Sequence, residues 1–457
     1  MVDYRAPLDE LPDPLPIVPL ERPFDVTITP PGSKSITNRA YVLAALADGE
    51  SKIIRPLRSE DTDALLEALC TLGAEARWVP GDDGEDVFIK GVNGRFPRGG
   101  SVNLGDGGTP TRFIIAAACL AAEPVTVDGS PRMRERPIAE GVEMLRHIGA
   151  QIEYVEEEGR LPVRVVPSEV FKGGELTVGK TASSQFISAV MLIAPWLEQG
   201  VCIRYSGGVT SPAYIWLTFQ VMDDWHICTE CDFDDGDDEG WIQTRSDSIP
   251  TTSGRVEGQT YQIDSDASSA AYWLTAASLC EHSRVRIKGL SADAPQPDVR
   301  LAGVLESMGA RVFWSDGDRD LEFGWRGALR GSVQDALDMP DAAMSLSIAC
   351  ACADGPSTIT GLHTLRVKET DRIAALANEL RKVGCTVETT HDSITIDPST
   401  RHDEPVTIET YNDHRMAMSF AILGLVRPDL SIANPACVAK SYPTFWRDFA
   451  RLYEPSP

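Results

Sequence analysis

The apolar positions of this 457-residue chain recur in one arrangement, a helix-spaced run that ends in glycine and precedes a short β-rich segment. Glycine directly after a helix is a common stop signal, because it adopts left-handed backbone conformations readily. The arrangement therefore predicts helices that end just before these glycines and strands that follow them. It occurs at Gly73 (LLEALCTLGAEARWV), Gly149 (MLRHIGAQIEYV), Gly309 (VLESMGARVFW) and Gly384 (ELRKVGCTVETT).

The spacing of the four glycines indicates an internal repeat. Gly73 and Gly149 are about 76 residues apart, Gly309 and Gly384 about 75, and the gap between the two pairs is about twice as long. We expect a degraded copy near residues 221–233, where the same rhythm lacks its glycine. A chain of this length holds about six such units. Two globular halves of three units each are favoured, since one hydrophobic core of this size is uncommon.

The remaining segments are predicted to be surface structure. The prolines of residues 1–20 predict a loose leader without a secretory signal, and residues 232–254, acidic and then rich in Ser, Thr and Gly, predict an exposed loop. The most apolar runs, residues 113–122 and 416–426, are shorter than the roughly 18 to 20 residues that cross a bilayer. The ten cysteines favour reduced thiols in a cytoplasmic protein. The lone CxxC at Cys228 and Cys231 lacks the second pair that a zinc site needs.

Charge narrows the class of partner. The formal net charge of −26 argues against nucleic acids and anionic membranes. Basic residues clustered in so acidic a chain suggest pockets for small anions, while solvated surface ion pairs remain the alternative. The clusters are Lys34 with Arg39, Arg132 with Arg134 and Arg136, and Arg366 with Lys368 and Arg372.

Several polar motifs stand at predicted helix starts. The segment LGDGGTPTRF turns into an apolar helix, with Thr109 as the expected cap and Pro110 at the first helical position. The single carboxylate of MPDAAM, Asp341, is either a chemical group or a helix cap. Backbone N–H groups at such starts suit phosphate and carboxylate ligands, particularly beside lysine or arginine.

Ten motifs follow one another from Gly32 to Pro443: GSKSITNR, GDGGTPTR, PRMRERP, SSQF, SPAYI, DASSA, PDAAM, RVKETDR, YNDHRMAM and AKSYP. Taken in order, they resemble the motifs of the 5-enolpyruvylshikimate-3-phosphate (EPSP) synthases. The resemblance implies an α+β fold of two globular domains, each of three βαβαββ repeats, with the active site in the cleft between them. One domain would comprise residues 1–32 with 264–457, and the other residues 33–263.

The resemblance also implies the reaction, transfer of the enolpyruvyl group of phosphoenolpyruvate to the 5-hydroxyl of shikimate 3-phosphate with release of phosphate. This step belongs to the shikimate pathway of chorismate and aromatic amino acid biosynthesis, and glyphosate would compete with phosphoenolpyruvate. The implied catalytic residues are Asp341 as base, Glu369 as acid, and Lys34. Those implied for shikimate 3-phosphate are Lys34, Ser35, Arg39, Ser183, Ser184, Gln185, Ser211, Asp341 and Lys368. Those implied for phosphoenolpyruvate are Lys34, Gly108, Arg112, Arg132, Gln185, Arg372, Arg415 and Lys440.

No metal or organic cofactor is implied, and we expect a monomer that binds small molecules only. The chain departs from the family pattern in that Asp106 and Thr364 stand at common asparagine positions, Pro212 and Ala213 replace a basic residue and a proline, and the acidic residues 232–239 have no counterpart. One alternative is an enolpyruvyl transferase for UDP-N-acetylglucosamine, although that family typically has a cysteine that SPRMRERP lacks. The other is a catalytically inactive ligand-binding relative.

Overall fold

The computed structural model describes residues 2–455 except 83, 180, 182, 234–237, 246–253 and 315–319. The chain divides into two compact units. The continuous unit is Gly32–Ile263, and the discontinuous unit is Met1–Pro31 together with Asp264–Pro457. Within the described residues, no helix combines the length and the apolar character needed to cross a membrane.

The N-terminal segment is ordered, and the prediction of a loose leader is wrong. It forms strands β1 (Leu15–Ile17) and β2 (Asp25–Ile28), and β1 pairs antiparallel with Leu430–Ile432 near the C-terminus. The Tyr4 hydroxyl donates to the Pro16 carbonyl at 3.0 Å and accepts from the Val18 N–H at 2.9 Å. The prolines misled the prediction, because apolar residues spaced between them are buried in the core of the discontinuous unit.

Among its described residues, the continuous unit contains three four-stranded sheets, ordered β14-β3-β5-β4, β6-β7-β9-β8 and β10-β11-β13-β12. Its helices are α1 (Lys34–Leu46), α2 (Glu60–Leu72), α3 (Gly108–Ala118), α4 (Pro131–Glu135), α5 (Ala139–His147), α6 (Ser184–Ile193) and α7 (Ala213–Asp224). Its strands are β3 (Glu50–Ile54), β4 (Glu75–Gly81), β5 (Gly84–Lys90), β6 (Gly100–Asn103), β7 (Val125–Asp128), β8 (Gln151–Tyr154), β9 (Val163–Val166), β10 (Gly174–Val178), β11 (Val201–Ser206), β12 (Thr229–Asp232), β13 (Glu239–Thr244) and β14 (Thr260–Gln262).

The described part of the discontinuous unit contains two four-stranded sheets, β16-β17-β15-β2 and β18-β19-β21-β20, and the three-stranded sheet β1-β23-β22. Its helices are α8 (Ala267–Leu279), α9 (Leu301–Met308), α10 (Ala343–Ala351), α11 (Arg372–Lys382), α12 (His414–Gly424) and α13 (Phe445–Ala450). Its further strands are β15 (Arg284–Lys288), β16 (Arg311–Trp314), β17 (Asp320–Gly324), β18 (Val333–Asp335), β19 (Ser357–Thr360), β20 (Thr386–Thr389), β21 (Ile394–Asp397), β22 (Val406–Ile408) and β23 (Leu430–Ile432).

The sheets share one strand arrangement, which confirms the repeated α+β architecture. In each four-stranded sheet of the described chain, one edge strand pairs parallel with its neighbour, and the other two strand pairs are antiparallel. The predicted glycine stops are also confirmed, since each follows the end of a helix with a positive φ. At the degraded copy, His226 takes the glycine position with φ 57° after α7.

The prediction of one continuous loop at residues 232–254 is wrong, because β13 lies inside it. This strand pairs with both β11 and β12, and it buries Ile242. Phe233 is also buried and packs edge-on against Tyr205. Residues 234–237 and 246–253 lie outside the described residues. The alternating apolar and β-branched side chains of WIQT outweigh the acidic and glycine-rich flanks that suggested a loop.

Candidate active site

Two acids and four cations of the discontinuous unit form one cluster, which we call the acid–arginine cluster: Asp341, Glu369, Lys368, Arg372, Arg415 and Lys440. Both acids lie on the same guanidinium, with Asp341 Oδ1 2.9 Å from Arg372 Nη1 and Glu369 Oε2 2.9 Å from Arg372 Nη2. Asp341 also lies 2.9 Å from Arg415 Nη2 and 3.6 Å from Lys368 Nζ. Lys440 Nζ lies 3.3 Å from Glu369 Oε1. The six residues were all singled out in the sequence, and the fold brings them together.

Turns and helix ends position these side chains. Arg372 begins α11 after the cap Asp371, and Arg415 lies in the first turn of α12 after the cap Asp413. Lys440 ends a 3-10 turn. Because several chain segments converge with their ends at one place, charged side chains otherwise far apart in sequence meet there.

Asp341 does not cap the helix that follows it. Helix α10 begins two residues later, and the N–H of Ala342 donates instead to Asp298 Oδ1 at 2.8 Å. Asp298 is fully buried, so it holds the turn from inside. The Asp341 carboxylate is thereby left for the arginines, and its side chain remains 18% exposed. It can therefore reach both the cations and a small ligand.

A buried carboxylate that we did not select from the sequence holds Arg372. Asp413 is fully buried, with Oδ2 2.7 Å from Arg372 Nε and Oδ1 3.2 Å from Nη2. Burial alone would lower the pKa of Arg372, but Asp413, Glu369 and Asp341 raise it above its usual range. Arg372 is thus a permanent cation fixed in one orientation. The position of Asp413 directly before the helix start in YNDHRMAM could have suggested it as a cap and clamp.

Arg415 is fixed in a similar way. Its Nη1 donates to the hydroxyl of Tyr272 at 3.2 Å, and Tyr272 is fully buried in α8. Burial opposes the charge of Arg415, but Asp341 and Tyr272 raise its pKa well above the usual range. No sequence signal marked Tyr272, because a tyrosine in an apolar helix is usually a core residue.

In the continuous unit, Lys34 and Arg39 occupy different environments on α1. Lys34 Nζ lies 3.1 Å from Oδ2 of Asp61, an acid on α2 that the sequence reasoning missed, and its side chain is 16% exposed. Arg39 is 2% exposed, and its guanidinium donates to Thr218 Oγ1 at 2.9 Å and to the Tyr214 carbonyl at 3.0 Å. Burial lowers the pKa of Arg39 to about 10. Lys34 is therefore the more accessible cation of the pair.

The glycine-rich turn begins its helix earlier than predicted. Helix α3 starts at Gly108 with Gly107 as its N-cap, so Thr109 is not the cap. Pro110 falls within the first turn, where its missing N–H costs nothing because no intrahelical acceptor is available there. Arg112 Nη1 donates to the Gly108 carbonyl at 3.0 Å and to Gln185 Oε1 at 2.8 Å.

Arg136, rather than the predicted Arg132, lies beside this turn. A Cβ added at Gly108 would come within 2.5 Å of Arg136 Nη1, and Arg136 is only 6% exposed. Arg132 lies 2.7 Å from Glu135 Oε2 with 38% of its side chain exposed. The sequence could not separate them, because it does not show that Arg136, at the C-cap of α4, is buried while Arg132 and Arg134 stay partly exposed.

The remaining predicted residues lie at helix starts and turns of the continuous unit. Ser183 caps α6 and accepts the Gln185 N–H at 3.3 Å, while Ser184 is buried. Ser211 has a positive φ of 52° and is buried, and Ser35 lies in the first turn of α1. Among the departures, Asp106 accepts a hydrogen bond from Ser130, and Thr364 of the discontinuous unit is buried.

These features place the protein in the class of α+β proteins that have the enolpyruvyl transferase fold. Solved structures share it. An EPSP synthase from Acinetobacter baumannii is 26% identical with a TM-score of 0.75, covering 95% of this chain and 97% of that one. The enolpyruvyl transferase NikO from Streptomyces tendae is 16% identical with a TM-score of 0.72, covering 96% and 98%, which shows the fold alone.

Sequence comparison gives the family. The model for EPSP synthase (3-phosphoshikimate 1-carboxyvinyltransferase) matches residues 21–449. A protein of that name from Yersinia pestis bv. Antiqua (strain Angola) is 39% identical over 428 residues, which are 93% of this chain and 96% of that protein. One from Serratia proteamaculans (strain 568) is 38% identical over 431 residues, with the same coverage. The chain belongs to the EPSP synthase family of transferases.

Proposed function

We propose that the protein transfers the enolpyruvyl group of phosphoenolpyruvate to the 5-hydroxyl of shikimate 3-phosphate and releases phosphate, a step of the shikimate pathway. The observation that carries the proposal is the placement of Asp341 and Glu369 on one guanidinium. The reaction needs one group to accept a proton and another to donate one within the same small volume. Family membership supports this choice of substrates.

The chemistry assigns the two acids opposite roles. Asp341 accepts the proton of the 5-hydroxyl as its oxygen attacks C2 of phosphoenolpyruvate, and Glu369 protonates C3 to complete a tetrahedral intermediate. Phosphate then leaves as C3 returns its proton and the enol double bond forms again. Each assisted proton transfer contributes roughly 100- to 10,000-fold to the rate. No step requires a metal or an organic cofactor.

The cations hold the substrate anions. Phosphoenolpyruvate and shikimate 3-phosphate together carry two phosphates and two carboxylates. We assign phosphoenolpyruvate to Arg372, Arg415 and Lys440 with Lys34, Gly108, Arg112, Gln185 and Arg136, and shikimate 3-phosphate to Lys34, Ser35, Arg39, Ser183, Ser184, Gln185, Ser211 and Lys368. Fixed cations also stabilise the charge of the departing phosphate.

A phosphate-release assay tests this proposal. Each reaction contains the protein and phosphoenolpyruvate. Three separate reactions then contain shikimate 3-phosphate, UDP-N-acetylglucosamine or no acceptor. We expect release only with shikimate 3-phosphate. Release with the UDP-sugar alone would indicate the related transferase, and no release with either acceptor would indicate a ligand-binding relative. The monomeric state and the cytoplasmic location stay predictions.

The two arginines of SPRMRERP give a paired prediction. Arg136→Lys should raise KM for phosphoenolpyruvate roughly tenfold or more, because lysine cannot reproduce a bidentate guanidinium contact with an anion. Arg132→Lys should change KM less than about twofold, since an exposed ion pair contributes little. Steady-state kinetics of both variants decide it. A larger effect at Arg132 would restore the original assignment of that residue.

Gly108→Ala should reduce sensitivity to glyphosate. The new methyl group displaces the Arg136 guanidinium, and we expect the longer inhibitor to be affected more than the compact substrate. The inhibition constant should rise about tenfold or more, with a smaller rise in KM for phosphoenolpyruvate. Gly303→Ala is the matched control, because a Cβ there meets nothing within 4 Å. Inhibition curves at several phosphoenolpyruvate concentrations measure both constants, and equal sensitivity of Gly108→Ala and the unmodified protein would place the inhibitor elsewhere.

A further inference from the structure

The five residues between β22 and α12, Glu409–Asp413, adopt an unusual backbone. Tyr411 and Asn412 have φ values of 54° and 56°, both in the left-handed region. Two consecutive non-glycine residues rarely adopt this conformation, since the Cβ crowds the following carbonyl. The bend therefore persists only if surrounding contacts hold it.

Glu379 on α11 supplies two such contacts, one at the start of the bend and one to a residue within it. It is fully buried. Its Oε2 accepts the N–H of Glu409 at 3.0 Å, and its Oε1 accepts the hydroxyl of Tyr411 at 2.8 Å. Lys382 Nζ lies 2.7 Å from Oε2 and balances the charge. A buried carboxylate with these partners has one favourable position, so it fixes whatever is bonded to it.

The bend leads directly into the acid–arginine cluster. Its last residue, Asp413, accepts the N–H of Arg415 at 2.9 Å and holds Arg372 through Nε and Nη2. Arg372 and Arg415 are the two arginines that contact Asp341. An altered bend would move Asp413 and with it both arginines.

We propose that Glu379 is a positioning residue, which orients Arg372 and Arg415 by holding the bend Glu409–Asp413 through its bonds to Glu409 and Tyr411. This inference rests on the proposed function, because it assigns the two arginines to the reacting substrates. Glu379 itself contacts no substrate in this account. It lies on α11 about two turns after Arg372, and it acts on the cluster only through the bend and Asp413.

Two variants, one more disruptive than the other, test the positioning role of Glu379. Glu379→Gln keeps the shape of the side chain but weakens the acceptor and the ion pair with Lys382. Tyr411→Phe removes one hydroxyl from a residue that is 41% exposed, so this variant should fold. Tyr453→Phe is the control, because it removes one tyrosine hydrogen bond to Val18 in the same unit but outside the bend.

The variants are compared by steady-state kinetics and by NMR spectroscopy. We expect kcat/KM for phosphoenolpyruvate to fall roughly 10- to 100-fold in Glu379→Gln and less in Tyr411→Phe, since small misplacements of binding groups are costly. The control should keep its activity even if its Tm falls equally. The Arg372 Nε–H signal in the 15N NMR spectrum, assigned with Arg372→Lys, should shift in both test variants and not in the control.

Different results would overturn the positioning role of Glu379 and the proposed function. Unchanged kcat/KM and an unchanged Arg372 signal in Tyr411→Phe and Glu379→Gln would overturn the positioning role. If Glu379→Gln does not fold, Tyr411→Phe alone decides by the same two readouts. Failure of the proposed function appears differently, as absence of phosphate release from the unmodified protein, and the NMR comparison then still tests whether Glu379 orients Arg372.

Discussion

Asp341→Asn should lower kcat roughly 100- to 10,000-fold while both substrates still bind, because asparagine cannot accept the proton of the attacking hydroxyl. The fold should survive, since Arg372 keeps Asp413 and Glu369 as partners. Phosphate-release rates at saturating substrate measure kcat, and calorimetry measures the binding of shikimate 3-phosphate.

Asp338→Asn is the matched control for this change. Asp338 lies three residues before Asp341, and its Oδ2 is 2.6 Å from Arg300 Nη1. Its loss should leave kcat within about twofold, as for other exposed ion pairs. A wild-type rate in Asp341→Asn would remove Asp341 as the base, and an equal loss in both variants would indicate a structural cause.

Lys34→Met should lower kcat/KM at least about 100-fold, because a preorganised cation that faces substrate charge is lost. The change also leaves Asp61, whose side chain is 6% exposed, without the lysine 3.1 Å away. Some loss of stability is therefore expected together with the loss of turnover. The same phosphate-release assay and a thermal melt measure the two effects.

Lys52→Met separates these effects within the same unit. Lys52 Nζ lies 2.9 Å from Asp86 Oδ2, and the Asp86 side chain is 4% exposed, so the pair resembles Lys34 with Asp61. Lys52→Met should reduce Tm to a similar degree and retain turnover. Near-normal turnover in Lys34→Met would contradict the assignment of Lys34 to the substrates.

The repeated fold was predictable because its signals are local. A helix that ends at a glycine with positive φ can be recognised from a few neighbouring residues. This local signal recurs at Gly73, Gly149, Gly309 and Gly384. The N-terminal strand was not predictable, because its pairing partner, Leu430–Ile432, lies at the other end of the chain. Strand pairing over such a separation leaves no local mark on a proline-rich segment.

The acids and cations of the cluster were found from motifs, but the residues that orient them were not. Asp413 and Tyr272 act by burial and by hydrogen bonds to arginines from other segments, which only the folded chain reveals. Arg132 and Arg136 show the same limit, since exposure rather than residue type distinguishes them. Sequence patterns indicate which chemically active residue types are present. Packing determines which of several residues of the same type is positioned to act.

Isotope labelling follows the carbon that is transferred. The protein is incubated with phosphoenolpyruvate carrying 13C at C2 and with shikimate 3-phosphate and UDP-N-acetylglucosamine together, and the products are examined by 13C and 31P NMR. We predict that the label appears as a vinyl ether carbon bonded to the 5-oxygen of shikimate 3-phosphate, with an equal amount of free phosphate. Label on the UDP-sugar, or phosphoenolpyruvate left unchanged, would show that the protein does not transfer the enolpyruvyl group to shikimate 3-phosphate.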